Sequence, residues 1–210
     1  MAGLMRIGIF GGTFDPPHIG HLILAAETRS QLNLDRLLWV LTPDPPHKQM
    51  QRITSLEQRL EMVMAAIRDD PQFELSRIEI DRPGPHYAVD TVRLLGELYP
   101  AAELVYLIGG DSLFDLPTWH RPREFIEECG QIGVMRRPGD AIDVDCLEAK
   151  LPGIRAKLAI ITSPLLEISA SEIRARISAG RPYRYYLPDP VYRIILTRSL
   201  YQTEEDEARS

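Results

Sequence analysis

The chain has 210 residues, of which 44% are hydrophobic and 26% charged, and its formal net charge is -6. This length suits one globular domain with a sizeable core, and the negative charge argues against a broad basic face for nucleic acid. Two cysteines without metal or redox spacing, no signal peptide and no apolar run near the roughly 20 residues that cross a bilayer indicate a cytoplasmic protein without a membrane partner.

The N-terminal part of the sequence predicts a strand–helix–strand unit. A strand is expected over about 4–10, a helix over about 20–32 and a second strand over about 36–42. The second strand is continuously apolar, which is typical of a parallel strand covered on both faces. Between the first strand and the helix lies the segment GGTFDPPHIGH, residues 11–21.

The rest of the chain continues to alternate between helix and strand patterns, which predicts a single-domain, Rossmann-like α/β fold with a doubly wound, mostly parallel sheet. Further strands are expected over about 73–80, 104–108, 131–135 and 158–162, and further helices over about 54–69, 88–99, 145–150, 168–180 and 189–201. We expect Thr54 and Glu57 to form a capping box, Gly180 to end the fourth of these helices, and Asp189 and Pro190 to be the N-cap and first residue of the last. Residues 1–202 are assigned to the domain and the acidic residues 203–210 to a flexible tail.

The segment 11–21 has the features of a phosphate-binding loop. Consecutive glycines let the backbone approach a ligand closely, and the following helix N-terminus offers free N–H groups and a partial positive charge. His18 and His21 are three residues apart, so they share a helix face and can donate hydrogen bonds to phosphate oxygens. The loop matches neither a Walker A nor a dinucleotide-binding pattern, and a zinc site would need a third ligand that is not close in sequence.

The combination of GGTFDP and HIGH resembles the adenylyltransferases of the nucleotidylyltransferase superfamily, which have the HxGH nucleotidylyltransferase fold. Two further family motifs follow in the expected order, IGGDSL with PTW over 108–119 and ISASEIR over 168–174. From about residue 6 to 201 the chain is similar to bacterial nicotinate-nucleotide adenylyltransferases. The resemblance implies transfer of the adenylyl group of ATP, with Mg²⁺, to nicotinate mononucleotide, giving deamido-NAD and pyrophosphate in NAD biosynthesis.

By position in these motifs, the resemblance implies two groups of site residues and no metal held by the protein itself. The ATP group is Gly11, Gly12, Thr13, Phe14, His18, His21, Asp111, Ser169, Ser171 and Arg174, of which His18, His21 and Arg174 are the catalytic candidates. The mononucleotide group is Lys48, Tyr87, Ala88, Trp119 and His120. Ala88 and Ala170 stand where family members commonly have Thr and Ser, so a hydroxyl contact to the triphosphate is in doubt.

Several alternatives stay open on the sequence alone. Trp119 is also a candidate core residue, Lys48 a solvated lysine and Asp111 a helix N-cap. The acceptor could be nicotinamide mononucleotide; phosphopantetheine fits the Trp119 segment and the length less well. A class I aminoacyl-tRNA synthetase would need a KMSKS-like loop, and a nucleotide-binding regulator would share the phosphate motifs without turnover. A homo-oligomer is compatible with the sequence, which does not determine the oligomeric state.

Overall fold

The computed structural model describes residues 4–44, 53–135, 142–164 and 166–202, which form one six-stranded sheet flanked by helices. The strands are β1 (Met5–Gly12), β2 (Arg36–Leu41), β3 (Phe73–Ser76), β4 (Ala102–Gly109), β5 (Gln131–Met135) and β6 (Leu158–Ile161). Their order across the sheet is β3-β2-β1-β4-β5-β6, and each neighbouring pair is parallel. The predicted doubly wound parallel α/β fold is therefore confirmed.

The helices connect successive strands and complete the outer layers. They are α1 (Ile19–Gln31), α2 (Leu56–Ile67), α3 (Ala88–Leu98), α4 (Gly110–Asp115), α5 (Pro122–Glu128), α6 (Val144–Lys150), α7 (Ala170–Ser178) and α8 (Asp189–Thr197). The sequence did not predict α4 and α5, since both are too short to show an amphipathic period. The predicted stop at Gly180 is confirmed, because this residue has a φ of +63° just after α7. Among the described residues, no helix combines the length and apolar character needed to span a membrane.

The alternation of side chains along the strands divides the core between the two faces of the sheet. On one face, Ile7 and Ile9 of β1 pack in a cluster that includes residues of α3 and α5. On the other face, Phe10 packs in a cluster that includes residues of α1 and α2. A third cluster packs α7 and α8 against α2. Burying each large apolar side chain contributes about 1.5–3 kcal/mol, so all three clusters hold the layers together.

The predicted capping box at the start of α2 is wrong. The N-cap is Ser55, whose Oγ accepts a hydrogen bond from the Gln58 N–H at 3.3 Å. Thr54 has another role, because its own N–H donates to the carboxylate of Asp15 at 3.2 Å. A long-range partner therefore displaces the local cap by one residue.

Two further boundaries differ from the prediction. Strand β3 ends at Ser76, because residues 77–81 turn back on themselves through a hydrogen bond from the Asp81 N–H to the Arg77 carbonyl at 2.9 Å. Helix α8 has Pro188 as its N-cap, so Asp189 is already in the first turn. The prediction of a tail at 203–210 lies outside the described residues.

The strand order places β1 and β4 next to each other in the middle of the sheet. The chain leaves β1 toward β2 on one side, whereas β4 begins the other half of the sheet, so the strand order reverses between them. In open α/β sheets, ligands bind beyond the carboxyl ends of the strands at such a switch point. Here those ends are Gly12 and Gly109, and each is followed by a predicted site segment.

Candidate active site

The glycine-rich loop is shaped by Phe14, which turns inward directly after β1. Its φ is +48°, and its side chain is 3% exposed and packs against Phe10 and Trp39 with ring centroids 5.5 and 5.0 Å away. A Cβ at Gly12 would lie only 2.8 Å from the Phe14 ring, so this position requires glycine. The ring of Phe14 lies in the core, so this residue can line a nucleotide cleft only with its main chain.

The two histidines of the loop lie at the beginning of α1 and stack on one another. Their ring centroids are 3.7 Å apart with an angle of 26° between the planes. The N–H of His18, the N-cap residue, donates to Nδ1 of His21 at 3.1 Å. In the neutral imidazole an accepting Nδ1 leaves the proton on Nε2, so His21 presents Nε2–H as a donor. The inward-turned Phe14 lies 5.2 Å from the His21 ring and supports it from behind.

The second phosphate motif forms the beginning of α7. Ser169 is the N-cap, and its Oγ accepts from the Glu172 N–H at 3.2 Å and lies 3.1 Å from the Ser171 Oγ. Arg174 extends from the first turns of α7 and donates from Nη1 to the main-chain carbonyl of Asp15 at 2.7 Å. Asp15 and Arg174 are 159 residues apart in the sequence, so this hydrogen bond brings the first and last of the predicted motifs together.

Behind the loop lies a buried arginine that the sequence did not single out. Arg59 of α2 is 2% exposed, and its guanidinium donates to four main-chain carbonyls at 2.7–3.1 Å. These carbonyls belong to Thr13 in the loop, Thr42 and Pro43 after β2, and Thr54 before α2. Burial lowers the pKa of Arg59, while the nearby Asp15 charge works in the opposite direction. Arg59 thus ties three loop segments into one unit.

Asp15 is the second site residue that sequence reasoning missed, although it stands inside the first motif. It is 3% exposed, and its carboxylate accepts from the Tyr201 hydroxyl at 2.6 Å and from the Thr54 N–H at 3.2 Å. Burial and the Asp15 charge raise the pKa of Tyr201 well above its ordinary value, so this phenol stays a donor. The only sequence signal was the position of Asp15 in the motif, since its partners lie 39 and 186 residues away.

On the other side of the cleft, aromatic rings gather beside the N-terminus of α3. Tyr87, the N-cap of α3, stacks on His120 with ring centroids 3.9 Å apart and an interplanar angle of 19°. The partly buried Trp119 packs against Phe125 at 5.3 Å and Tyr106 at 6.4 Å. Trp119 therefore does contact the core, and its stacking on a ligand ring stays a prediction.

Ala88 is the first residue of α3, so its main-chain N–H lies at an uncapped helix N-terminus. Tyr106 joins this side to the glycine-rich loop, because its hydroxyl would lie 3.3 Å from a Cβ at Gly11. Burial raises the pKa of Tyr106 far above its ordinary value, and the charge of Glu79 raises it further. The hydroxyl of Tyr106 therefore stays protonated and neutral.

A buried polar cluster holds the segment that leads into α3. Glu79 is 4% exposed and accepts from the Thr91 hydroxyl at 2.7 Å. The same hydroxyl accepts from Arg82 at 3.2 Å, and Arg82 also donates to the Pro85 carbonyl at 3.0 Å. These contacts fix the approach to Tyr87 and were not foreseen from the sequence.

Two predicted site residues remain to be placed, Asp111 and Lys48. Asp111 lies in the first turn of α4, whose N-cap is Gly109, so the alternative N-cap assignment for Asp111 is wrong. It borders a cavity of about 400 Å³ between α4 and α6. Lys48 lies outside the described residues. Within the described ranges, no group of three or more potential ligands is placed to hold a metal ion.

A parallel sheet with two helix N-termini, histidines and an arginine at its switch point is suited to a protein that binds a nucleotide through its phosphates. The family model described as cytidylyltransferase-like matches residues 9–176, which covers most of the chain. Relatives from Thermomicrobium roseum and Exiguobacterium sibiricum are 44% and 42% identical, cover 96% and 95% of this chain and match over 94% and 100% of their own lengths. Both are named "Probable nicotinate-nucleotide adenylyltransferase". The chain therefore belongs to the nicotinate-nucleotide adenylyltransferase family of nucleotidyltransferase enzymes.

A solved structure has the same fold. It is a Plasmodium falciparum nicotinic acid mononucleotide adenylyltransferase complexed with NaAD, with a TM-score of 0.77 and 21% sequence identity. The match covers 94% of this chain and 97% of that one. A second structure of the same Plasmodium enzyme, complexed with APC, has a TM-score of 0.74 and covers 94% of this chain.

Proposed function

We propose that this protein transfers the adenylyl group of ATP to nicotinate mononucleotide and releases pyrophosphate, forming deamido-NAD in NAD biosynthesis. The observation that carries the proposal is the hydrogen bond from Arg174 to the Asp15 carbonyl, which joins the two phosphate motifs at one sheet edge. Two helix N-termini with adjacent donors suit a triphosphate. The names of relatives with 44% and 42% identity support the choice of acceptor.

The reaction needs positioning more than it needs a base. The 5′-phosphate of a mononucleotide is already mostly dianionic at pH 7, since its second pKa is about 6. One of its oxygens attacks the α-phosphorus of ATP, a new P–O bond forms, and the bond to the β-phosphate oxygen breaks as pyrophosphate leaves. The enzyme must bring two anions together in line and stabilise the charge that moves onto the leaving group.

The chain supplies donors for that charge. His18 and His21 are assigned to the phosphates of ATP, and the Nε2–H of His21 is the donor left when Nδ1 accepts from the main chain. Arg174, with Ser169 and Ser171 at the N-terminus of α7, is assigned to the triphosphate. Mg²⁺, bound to ATP as part of the substrate, would neutralise phosphate charge. Asp111 is assigned to the centre of the cleft, near a ribose hydroxyl or the metal-bound phosphates.

The acceptor is assigned to the aromatic side of the cleft. Trp119 would stack on the pyridine ring, with Tyr87 and His120 beside it. The main-chain N–H groups near Ala88 and His120 would receive the nicotinate carboxylate, because an uncapped helix N-terminus favours an anion. A main-chain contact does not depend on the side chain at Ala88, so the departure from Thr leaves this recognition intact.

The test is pyrophosphate release from ATP and Mg²⁺ with nicotinate mononucleotide and nicotinamide mononucleotide in parallel. We expect pyrophosphate release only when ATP and a mononucleotide are both present. Release should be clearly faster with nicotinate mononucleotide than with nicotinamide mononucleotide. Equal or faster release with nicotinamide mononucleotide would show that the proposed acceptor is wrong. Binding of ATP without release with either mononucleotide would instead support a nucleotide-binding regulator.

A further inference from the structure

The hydroxyl of Tyr201 reaches across the molecule to the first phosphate motif. Its oxygen lies 2.6 Å from Oδ1 of Asp15, a separation typical of a hydroxyl that donates to a carboxylate. The residue follows α8, and its side chain packs in the cluster that joins α2, α7 and α8. Because Asp15 is 3% exposed, water could not readily take the place of the Tyr201 hydroxyl if that donor were removed.

We propose that Tyr201 is a positioning residue for the ATP side of the site, acting through Asp15 on the guanidinium of Arg174. This inference rests on the proposed function for its kinetic consequences. Tyr201 holds the carboxylate of Asp15, and the main-chain carbonyl of the same residue accepts from Arg174 at 2.7 Å. A shift of Asp15 therefore moves the anchor of Arg174.

Asp15 is also held by groups other than Tyr201. Its second carboxylate oxygen accepts from the Thr54 N–H, so the side chain is held from two directions. The buried Arg59 lies close enough to interact electrostatically with it and holds the adjacent Thr13 carbonyl at 3.1 Å. Of the hydroxyl, main-chain and charged partners around Asp15, Tyr201 is the contact from the segment that follows α8. It thus links the C-terminal helix to the loop that carries His18.

The experiment uses Tyr201→Phe in the full chain, which removes one oxygen and keeps the ring. Tyr192→Phe is the matched control, since Tyr192 packs in the same cluster, where its ring lies 5.5 Å from Tyr183. We expect Y201F to lower kcat/KM for ATP by about tenfold to a hundredfold, as for the loss of a hydrogen bond to a buried charge. The KM for the mononucleotide should stay unchanged, and Y192F should behave like the wild type.

A double-mutant cycle on ATP binding separates positioning from general loosening. The ATP dissociation constant is measured by calorimetry for the wild type, Y201F, Arg174→Ala and the double variant. We expect Y201F to weaken ATP binding about tenfold in the wild type and to have little effect once Arg174 is gone. Equal weakening in both backgrounds, or none in the wild type, would overturn the proposal.

This binding cycle stays decisive even if the proposed reaction fails. Absence of pyrophosphate release by the wild type would refute the reaction, whereas the cycle reports on Tyr201 and Arg174 without turnover. Asp15→Asn approaches the same contact from the loop, because it keeps an acceptor oxygen and removes the charge. We expect it to weaken ATP binding in the same direction as Y201F and non-additively with it; additivity would contradict the proposed route.

Discussion

The two sides of the cleft are held by different forces. On the side that we propose binds ATP, Asp15 and Arg59 are 3% and 2% exposed and fix the loop through charged hydrogen bonds. On the side that we propose binds the acceptor, Tyr87, Trp119 and His120 lie in ring contacts of 3.9–6.4 Å and retain solvent access. Charged hydrogen bonds are directional, whereas ring packing tolerates small shifts.

This difference matches what the two sides are proposed to bind. Phosphoryl transfer needs a few donors in fixed places, since a misplacement of about 1 Å can reduce the rate about a hundredfold. A stacked pyridine ring needs a broad apolar surface and a few donors around it. The predictions below challenge this division, from the largest expected effect to the smallest.

His21 tests whether the ATP side depends on a single donor atom. In His21→Asn the amide oxygen can still accept from the His18 N–H, but the donor at the Nε2 position is lost. In His21→Gln the amide nitrogen occupies roughly that position. We expect kcat to fall by about 10²–10³-fold in H21N, the cost of losing one donor to developing charge, and less in H21Q. Pyrophosphate-release kinetics measure both, and equal activity of the two variants would refute the Nε2 assignment.

Arg59 tests whether buried charge holds the loop. Arg59→Met leaves four carbonyls without their donor and removes the positive charge near the Asp15 carboxylate, so we expect the free energy of unfolding to fall by about 3–5 kcal/mol. Urea unfolding measures this loss. The control is Arg93→Met, because Arg93 makes exposed ion pairs with Glu124 and Glu128. Little change is expected there, and similar losses in both variants would contradict a special role for Arg59.

Trp119 tests whether the aromatic side is separable from the ATP side. We expect Trp119→Ala to raise the KM for the mononucleotide about tenfold, as for loss of one stacked ring, and to leave the KM for ATP unchanged. Trp119→Phe should retain most of the affinity. Steady-state kinetics with each substrate varied in turn measure the split. A parallel rise in both KM values would show that Trp119 acts only by holding the core.

Cys129 tests the packing beneath the aromatic side. It is 1% exposed in the cluster that contains Tyr106 and Phe125, and burial raises its pKa to about 12. Because the thiol ionises more readily in the unfolded chain, its contribution to stability is present below about pH 9 and is lost as pH rises toward 12. Between pH 8 and 10 the wild type should therefore lose about 1 kcal/mol more than Cys129→Ala in urea unfolding.

Thiol labelling gives an independent check on this packing. At neutral pH the exposed Cys146 should react in the native protein, whereas Cys129 should react only after unfolding. Rapid labelling of both thiols would mean that the core beneath the acceptor side opens readily.

The sequence was most informative where the structure depends on neighbours in the chain. Three local features were predicted correctly. The apolar run of β2 predicted a parallel strand, the glycines of the first loop predicted a turn after β1, and Gly180 predicted the end of α7. The prediction was weaker for short helices. With 6 and 7 residues, α4 and α5 have about two turns at most, which is too few to show an amphipathic period.

The buried charges show where local reasoning ends. In the sequence, Arg59 is the single arginine of the amphipathic helix α2, and nothing nearby marks it as buried. Its acceptors are carbonyls of Thr13, Thr42, Pro43 and Thr54, which carry no side-chain signal. Thr54 shows the same limit, because its contact with Asp15 displaced the cap predicted from its own neighbours.

The hydrogen bond between Asp15 and Tyr201 also has a consequence for the order of events during synthesis. Its two partners are 186 residues apart, so the ribosome makes the phosphate loop early and the tyrosine very late. Chains emerge and begin to fold from the N-terminus. The sheet can therefore begin to assemble while translation continues, but the ATP side reaches its final geometry only after Tyr201 has been released. A nascent chain stalled before that residue would lack the hydrogen bond that Tyr201 donates to Asp15.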